Sequence, residues 1–254
     1  MLIGDFLRVA PGITCVVGSG GKTTLLRTLS EELSGSEEGL VTAATGGMSS
    51  APSGDKCLGL AVILTTTTHF LPFEGIETLV DPSREDLARA GATRGVVCVG
   101  GLGKGGKLGA PATLSPAELA QTSPYVLVEA DGSRQLPLKA HETWEPVIPE
   151  GSARTILVMG ASGFGRPVRE VVHRPELYCE RTGTSMDDPV RPEDLARLLD
   201  AEFGLGLLDF DVVLVNQAED ESTLEDARRL ASHLRLEAPV LAGSLQKKEL
   251  VQLR

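Results

Sequence analysis

The chain has 254 residues, 41% of them hydrophobic and only 4% aromatic, and its formal net charge is −11. This length suits one large α/β domain or two small ones, with a core built mainly from aliphatic side chains. The acidic balance argues against binding of nucleic acid or an anionic membrane through overall charge, although a local basic pocket can still take phosphate. We therefore expect neither a nucleic-acid nor a membrane partner.

Composition also bears on the cellular compartment. No run approaches the roughly 18 apolar residues of a membrane helix, and the N-terminal stretch is too short and too acidic for a secretory signal. The four cysteines are widely spaced, and Cys15 and Cys98 lie inside apolar runs, which predicts buried thiols rather than metal ligands or disulfides. The expected protein is cytoplasmic, reduced and soluble.

Short apolar runs alternate with amphipathic segments along the chain. Continuous apolar runs are typical of strands buried on both faces of a parallel sheet. Strands are predicted at 13–17, 61–65, 95–100, 125–130, 155–160, 211–216 and 239–243, and helices at 22–33, 83–90, 116–121, 192–203 and 222–234. This alternation predicts a single domain over residues 1–254 with a three-layer α/β, P-loop NTPase-like fold and a mostly parallel sheet.

Two glycine-rich stretches interrupt this pattern. Residues 34–59 are rich in Gly, Ser, Ala and Thr, and they predict a flexible insertion with a short strand at 40–43. Residues 100–111, "GGLGKGGKLGAP", predict a second flexible loop.

The first predicted strand runs into "VVGSGGKTTLL", residues 16–26, and a helical pattern follows directly, which is the context that a phosphate-binding loop needs. Val16 stands where the usual loop has its first Gly, so the sequence indicates a compact variant. Backbone N–H groups and the helix dipole would favour an anion. The alternative is a turn whose lysine is merely solvated. The predicted nucleotide-binding residues here are Gly18, Ser19, Gly20, Gly21, Lys22, Thr23 and Thr24.

Within this loop, Lys22 is expected to reach the β- and γ-phosphates, and the Thr23 hydroxyl is expected to hold Mg²⁺. A second polar stretch, "LTTTTHFLP" (64–72), ends the next predicted strand, where doubly wound sheets collect their ligands. Its hydroxyls would meet phosphate or metal ligands, unless they are simply strand formers. The predicted substrate-binding residues in it are Thr66, Thr67 and Thr68.

A third stretch, residues 125–149, contains an apolar strand that ends in Glu129 and Asp131. Carboxylates at a strand end suit Mg²⁺ or the orientation of an attacking water, although a surface pair in a turn is the alternative. Arg134 and Lys139 would contact an anionic substrate. We predict Lys22, Asp131 and Glu129 as catalytic residues, with Thr23 and Asp131 as the metal ligands.

Two further stretches are less specific. "VLVNQAED" (213–220) is similar to the Asn-Lys-x-Asp element that reads guanine, so Asn216 is a predicted base contact. Gln217 replaces the Lys, which favours ATP over GTP. The Gly- and Arg-rich residues 160–183 offer His173 and Arg174, with Arg166, to an anionic ligand, and a solvated basic turn is the alternative.

Taken together, these stretches resemble the YqeC family of accessory proteins linked to selenium-dependent molybdenum hydroxylases. The most specific part of the resemblance is "LVEADGSRQLPLKAHETWEPVIP", and the matching segments span residues 16–220. Members of this family usually carry Lys where this chain has His69 and Asn-Lys-x-Asp where it has "NQAE". Residues 34–59 also form a longer link than is usual in the family.

The resemblance implies a P-loop nucleotide-binding protein that is needed to mature a selenium-containing molybdenum cofactor. With the residues above, it leads us to expect that the protein uses Mg²⁺ and ATP, by nucleotide hydrolysis or phosphoryl transfer. Its expected partners are the nucleotide, a small anionic cofactor precursor and a protein of molybdenum hydroxylase maturation. Two alternatives stay open. One is an ATP-dependent ligase or kinase acting on a cofactor precursor, and the other is a non-catalytic, nucleotide-gated cofactor chaperone.

Overall fold

The computed structural model describes residues 1–35, 59–92 and 95–254. The predicted strand at 40–43 and nearly all of the predicted insertion lie outside these residues. The described residues form two compact units. The first unit contains Met1–Cys15, Leu26–Glu129 and Pro149–Ala153, and the second contains Val16–Leu25, Ala130–Ile148 and Arg154–Arg254. That the chain is one domain stays a prediction.

Several helices begin at residues that satisfy or remove free backbone N–H groups. Ser83, Ser115 and Asp220 each accept a hydrogen bond from the N–H three residues on, while two other helices start with proline. The helices are α1 Ile3–Phe6, α2 Lys22–Gly35, α3 Arg84–Gly91, α4 Pro116–Leu119, α5 Val168–Val171, α6 Pro175–Thr182, α7 Pro192–Gly204 and α8 Glu221–His233. No helix in the described ranges is long and apolar enough to cross a membrane.

Strands of the first unit pair mainly in parallel. In chain order, the strands up to residue 129 are β1 Gly12–Gly18, whose last three residues belong to the second unit, β2 Val62–Thr66, β3 His69–Phe70, β4 Glu77–Val80, β5 Val96–Leu102, β6 Leu108–Gly109 and β7 Tyr125–Glu129. β2 lies between β5 and β7 and is parallel to both, and β4 is parallel to β5. β6 pairs antiparallel with β5 and β3. The prediction of an unstructured loop over 100–111 is therefore wrong at its ends, because cross-strand pairing orders both sides of the turn.

The remaining strands lie in the second unit, apart from the first two residues of β9. They are β8 Leu138–Lys139, β9 Ser152–Gly160, β10 Val172–His173, β11 Val212–Asn216, β12 Val240–Ser244 and β13 Glu249–Gln252. β11 is parallel to β9 and to β12, and β13 closes this edge antiparallel to β12. β8 and β10 form a separate parallel pair in which Lys139 lies opposite His173. The side chains of β11 and β12 are buried throughout.

The predicted fold class is confirmed: the chain is an α/β protein with a mostly parallel sheet and the layered arrangement of P-loop NTPases. All seven predicted strands outside 36–58 are present, with ends shifted by up to three residues. β4, α6 and the shortest strands were not predicted, because short or half-exposed segments leave little hydrophobic pattern to detect. Cys15 and Cys98 are buried free thiols, as predicted, and burial raises the pKa of each to about 11.

Candidate functional site

The loop between β1 and α2 belongs to the second unit and depends on its glycines. Gly18, Gly20 and Gly21 have φ values of 90°, 77° and 143°, which only glycine adopts at low cost. A Cβ atom would lie 2.2 Å from the Val158 oxygen at Gly18 and 2.2 Å from the Gly160 nitrogen at Gly20. The glycines therefore allow both the tight turn and its close packing against β9.

Asn216, at the end of β11, binds this loop through a side-chain hydrogen bond. Its side-chain nitrogen donates to the Gly20 carbonyl at 2.8 Å, and its side-chain oxygen accepts from the Leu245 N–H at 3.0 Å. The Ser19 N–H donates to the Val158 carbonyl at 2.8 Å. The amide nitrogen of Asn216 thus holds the loop, while the Leu245 N–H fixes the orientation of the amide. Its predicted contact with a nucleotide base stays a prediction.

The hydroxyl groups of the loop differ in their surroundings. The Ser19 hydroxyl is buried, and it has no hydrogen-bond partner among the residues that the structure describes. A buried hydroxyl without a partner carries a desolvation cost that a ligand oxygen would relieve. Thr23 is exposed at the first turn of α2, and Thr24 is half-buried beside it.

Lys22 folds back onto the loop and is only 4% exposed. Its ammonium nitrogen lies 2.7 Å from the Gly18 carbonyl oxygen and 3.1 Å from Oδ1 of Asp131. It also lies 3.3 Å from the Ser133 hydroxyl. The charge that was predicted to meet phosphate is therefore placed at the loop and balanced by a carboxylate from the segment after β7.

Asp131 is completely buried and surrounded by donors. Its Oδ2 accepts from the Gly18 N–H at 2.8 Å and from Lys139 at 2.9 Å, and it lies 3.2 Å from Nε2 of His141. Burial alone would raise the pKa of Asp131, but Lys22, the His141 hydrogen bond and Lys139 together hold it well below its usual range. Asp131 is thus a carboxylate that stays ionised.

His141 lies between two buried carboxylates and is 1% exposed. Its Nε2 faces Asp131, and its Nδ1 lies 2.7 Å from Glu202. Burial lowers the pKa of His141, but the hydrogen bonds and charges of Asp131 and Glu202 outweigh burial and raise it. Since both ring nitrogens face acceptors, the arrangement suits a doubly protonated imidazole.

Three more ion pairs complete this group. Lys139 also lies 2.9 Å from Glu145, which pairs with Arg174, and Glu202 lies 2.5 Å from Arg181. Burial raises the pKa of Glu145, but hydrogen bonds from Arg174 and Lys139 outweigh burial and lower it. We call the whole group the Asp131 cluster; its members are Lys22, Asp131, Lys139, His141, Glu145, Arg174, Arg181 and Glu202.

The residues predicted to bind an anionic substrate fall into two groups. All three donors of the Lys139 ammonium meet Asp131, Glu145 or the Gly132 carbonyl, and Arg174 is engaged by Glu145. Arg134 is exposed, with a left-handed φ of 50°. His173 is half-buried, and burial together with the Arg174, Lys139 and Arg134 charges lowers its pKa to about 4, so it is neutral at pH 7.

Comparison with known proteins identifies the family. A family profile described as YqeC protein matches residues 53–176. "Uncharacterized protein YqeC" of Escherichia coli (strain K12) is 32% identical over 195 residues, which cover 74% of this chain and 68% of that protein. The chain belongs to the YqeC family. The YqeC profile includes Asp131, Lys139, His141, Glu145 and Arg174, whereas the loop at 18–24 precedes the matched residues.

The other residues that the sequence predicts for the site, at the ends of β2 and β7, lie in the first unit. The Thr66 hydroxyl donates to the Glu129 carbonyl at 2.7 Å and accepts from the Thr68 N–H at 2.9 Å. The Thr67 N–H also donates to the Glu129 carbonyl, at 3.2 Å. These contacts order a turn at the end of β2. The predicted ligand contacts of Thr66, Thr67, Thr68 and Glu129 stay predictions.

Sequence reasoning missed several members of the Asp131 cluster. The sequence pattern does indicate that Glu202 is buried, since it follows Leu195, Leu198 and Leu199 at the spacing of one helix face. A fully buried acid at such a position needs a partner. No comparable signal marks His141, Glu145 or Arg181, because their partners are distant in the chain.

Proposed function

We propose that this YqeC protein binds a magnesium nucleotide, with the phosphates at the loop of residues 18–24. One observation carries the proposal. The strand-to-helix loop contains three glycines with positive φ and is bound by Asn216, and the Lys22 ammonium lies against the Gly18 carbonyl of this loop. Backbone N–H groups at a helix start attract phosphate, and a lysine at this position adds a point charge.

The environment of Lys22 supports the same reading. Phosphate oxygens would replace the Gly18 carbonyl and Asp131 as the partners of the Lys22 ammonium. The Asp131 carboxylate would keep its contacts with Lys139 and His141. The buried Ser19 hydroxyl, which lacks a partner among the described residues, would gain one from the ligand. A site with these properties favours charge stabilisation over covalent chemistry.

Magnesium is the metal that we propose, with Thr23 and Asp131 as its protein ligands. Thr23 is exposed at the start of α2, and Asp131 supplies an ionised carboxylate beside Lys22. Mg²⁺ usually takes one or two protein groups together with phosphates and waters, so it needs no larger set of ligands. When bound, the ion would neutralise charge on the β- and γ-phosphates.

The biological role that we propose is accessory: maturation of the selenium-containing molybdenum cofactor, by nucleotide hydrolysis or by phosphoryl transfer to a small anionic precursor. The YqeC membership and the resemblance of the downstream segments support it. Arg134 and neutral His173 are exposed or half-buried beside the Asp131 cluster and are the residues that we propose for the precursor. ATP is the proposed nucleotide, because Gln217 stands where guanine readers have lysine.

The test is calorimetric titration of Mg-ATP into the wild type and into Lys22→Gln, which keeps two N–H donors but removes the charge. We expect an affinity loss of at least about tenfold, since contacts to charged groups are worth roughly 1.5–3 kcal/mol. The matched control is Lys104→Ala, at an exposed lysine on the β5–β6 turn. Equal affinity in all three proteins, with unchanged circular dichroism, would reject this site.

A further inference from the structure

His141 touches neither the loop nor Lys22 in any contact described above, yet it lies between two buried carboxylates. We propose that His141 is a positioning residue of the nucleotide site, which holds Asp131 in the orientation that places Lys22 and the Gly18 N–H. This inference rests on the proposed function. His141 would support the loop through Asp131, without contacting the ligand.

Glu202 contacts His141 at two points, one on the main chain and one on the imidazole ring. The His141 main-chain N–H donates to Oε1 of Glu202 at 2.8 Å, and Nδ1 faces Oε2 at 2.7 Å. Arg181 fixes this carboxylate in turn, with 2.5 Å to Oε1 of Glu202 and 2.6 Å to the His141 carbonyl oxygen. The ring cannot turn without breaking its contact with this anchored carboxylate, so Nε2 stays directed at Asp131.

The Asp131 carboxylate passes this orientation on to the loop. Oδ2 of Asp131 faces Nε2 of His141 and accepts from the Gly18 N–H, while Oδ1 lies 3.1 Å from the Lys22 nitrogen. Rotation of the carboxylate would therefore disturb both loop contacts together. Lys139 also binds Oδ2, but an ammonium on a flexible stem orients a carboxylate less firmly than a ring that is fixed on both sides.

Two substitutions separate this role from a purely structural one. His141→Gln places an amide N–H at the reach of Nε2, towards Asp131, whereas His141→Asn places one at the reach of Nδ1, towards Glu202. Both variants lose the ring and one of its two side-chain contacts, so similar losses of folding stability are expected. Only His141→Asn loses the contact to Asp131.

The first readout requires no nucleotide. Lys22 is labelled with acetic anhydride and quantified by mass spectrometry, with exposed Lys104 as the internal reference. We expect labelling of Lys22 to rise about tenfold in His141→Asn and to stay near wild type in His141→Gln, since the lost contact involves a charged acceptor. Equal labelling in the two variants would overturn the proposal.

Glu202→Gln provides a second test, because it weakens the contact that holds Nδ1 of the ring. Unchanged Lys22 labelling in that folded variant would also count against the proposal.

The second readout is Mg-ATP affinity by calorimetry, measured beside urea unfolding of each variant. The expected result is a loss of about tenfold in His141→Asn, with recovery in His141→Gln. A parallel loss of affinity and stability in both variants would make His141 structural only. If the wild type binds no nucleotide, the proposed function fails, while the labelling result still decides whether His141 positions Asp131 and Lys22.

Discussion

Glu129 and Asp131 are two residues apart, and the sequence gives them the same reason to be functional: each is an acid at the end of a buried strand. Their surroundings differ. At Glu129 the described contacts of the main-chain oxygen are with Thr66 and Thr67, within the first unit. The Asp131 side chain, in the second unit, is surrounded by Lys22, Lys139 and His141. What an acid does here depends on which distant cations the fold brings to it.

The largest expected effect of this difference is on stability. Asp131→Ala leaves buried Lys22, Lys139 and His141 without their shared carboxylate, and such a loss usually costs about 3–5 kcal/mol. Glu129→Gln replaces the carboxylate by an amide of the same shape and leaves the main-chain bonds with Thr66 and Thr67 in place, so we expect a smaller loss, of about 1 kcal/mol. Urea unfolding measures both. Equal losses would mean that the two acids are equivalent.

Metal dependence separates the same two acids by function. Asp131→Asn should reduce the effect of Mg²⁺ on nucleotide affinity about tenfold, whereas Glu129→Gln should leave most of it, if Asp131 is the protein carboxylate at the metal. Calorimetric titrations with Mg²⁺ and with EDTA give the two affinities for each variant. The opposite ranking would assign the metal to Glu129.

A smaller effect is expected from the residue that fastens the loop. Asn216→Ala removes the bond to the Gly20 carbonyl and should weaken nucleotide binding by about three- to tenfold, as one ordinary hydrogen bond is worth roughly 1 kcal/mol. The matched control is Gln217→Ala, because Gln217 bonds to Ser162 and not to the loop in the contacts described. Equal losses in the two variants would show that Asn216 does not act through the loop.

The smallest effect is a titration. His173 has a pKa lowered to about 4 in the folded protein, against about 6.5 when unfolded. The unfolded chain therefore binds more protons between these values, so this residue lowers stability as the pH falls from about 6.5 towards 4. An NMR titration should give a midpoint below pH 5. A midpoint near 6.5 would show that neither burial nor the charges of Arg174, Lys139 and Arg134 lower the pKa of His173.

The sequence-based predictions succeeded where the signal is local. Buried strands, capped helices and the glycine-lysine loop follow from neighbouring residues, and these are the elements found. Asp131, Lys22 and Lys139 were predicted as site residues, but His141 and Glu202 were not, because their contacts form only after α7 packs against the segment that follows β7. The predicted base contact of Asn216 stays a prediction, and its bond to the Gly20 carbonyl was not foreseen because the two residues are far apart in the chain.

The most direct test of the central claim is a structure of the protein with Mg²⁺ and a non-hydrolysable ATP analogue. We predict the terminal phosphate within about 3 Å of the Lys22 nitrogen, with the loop N–H groups directed at the phosphates and Asp131 still bound by Lys139 and His141. An analogue bound elsewhere, with Lys22 still on the Gly18 carbonyl and Asp131, would contradict the account.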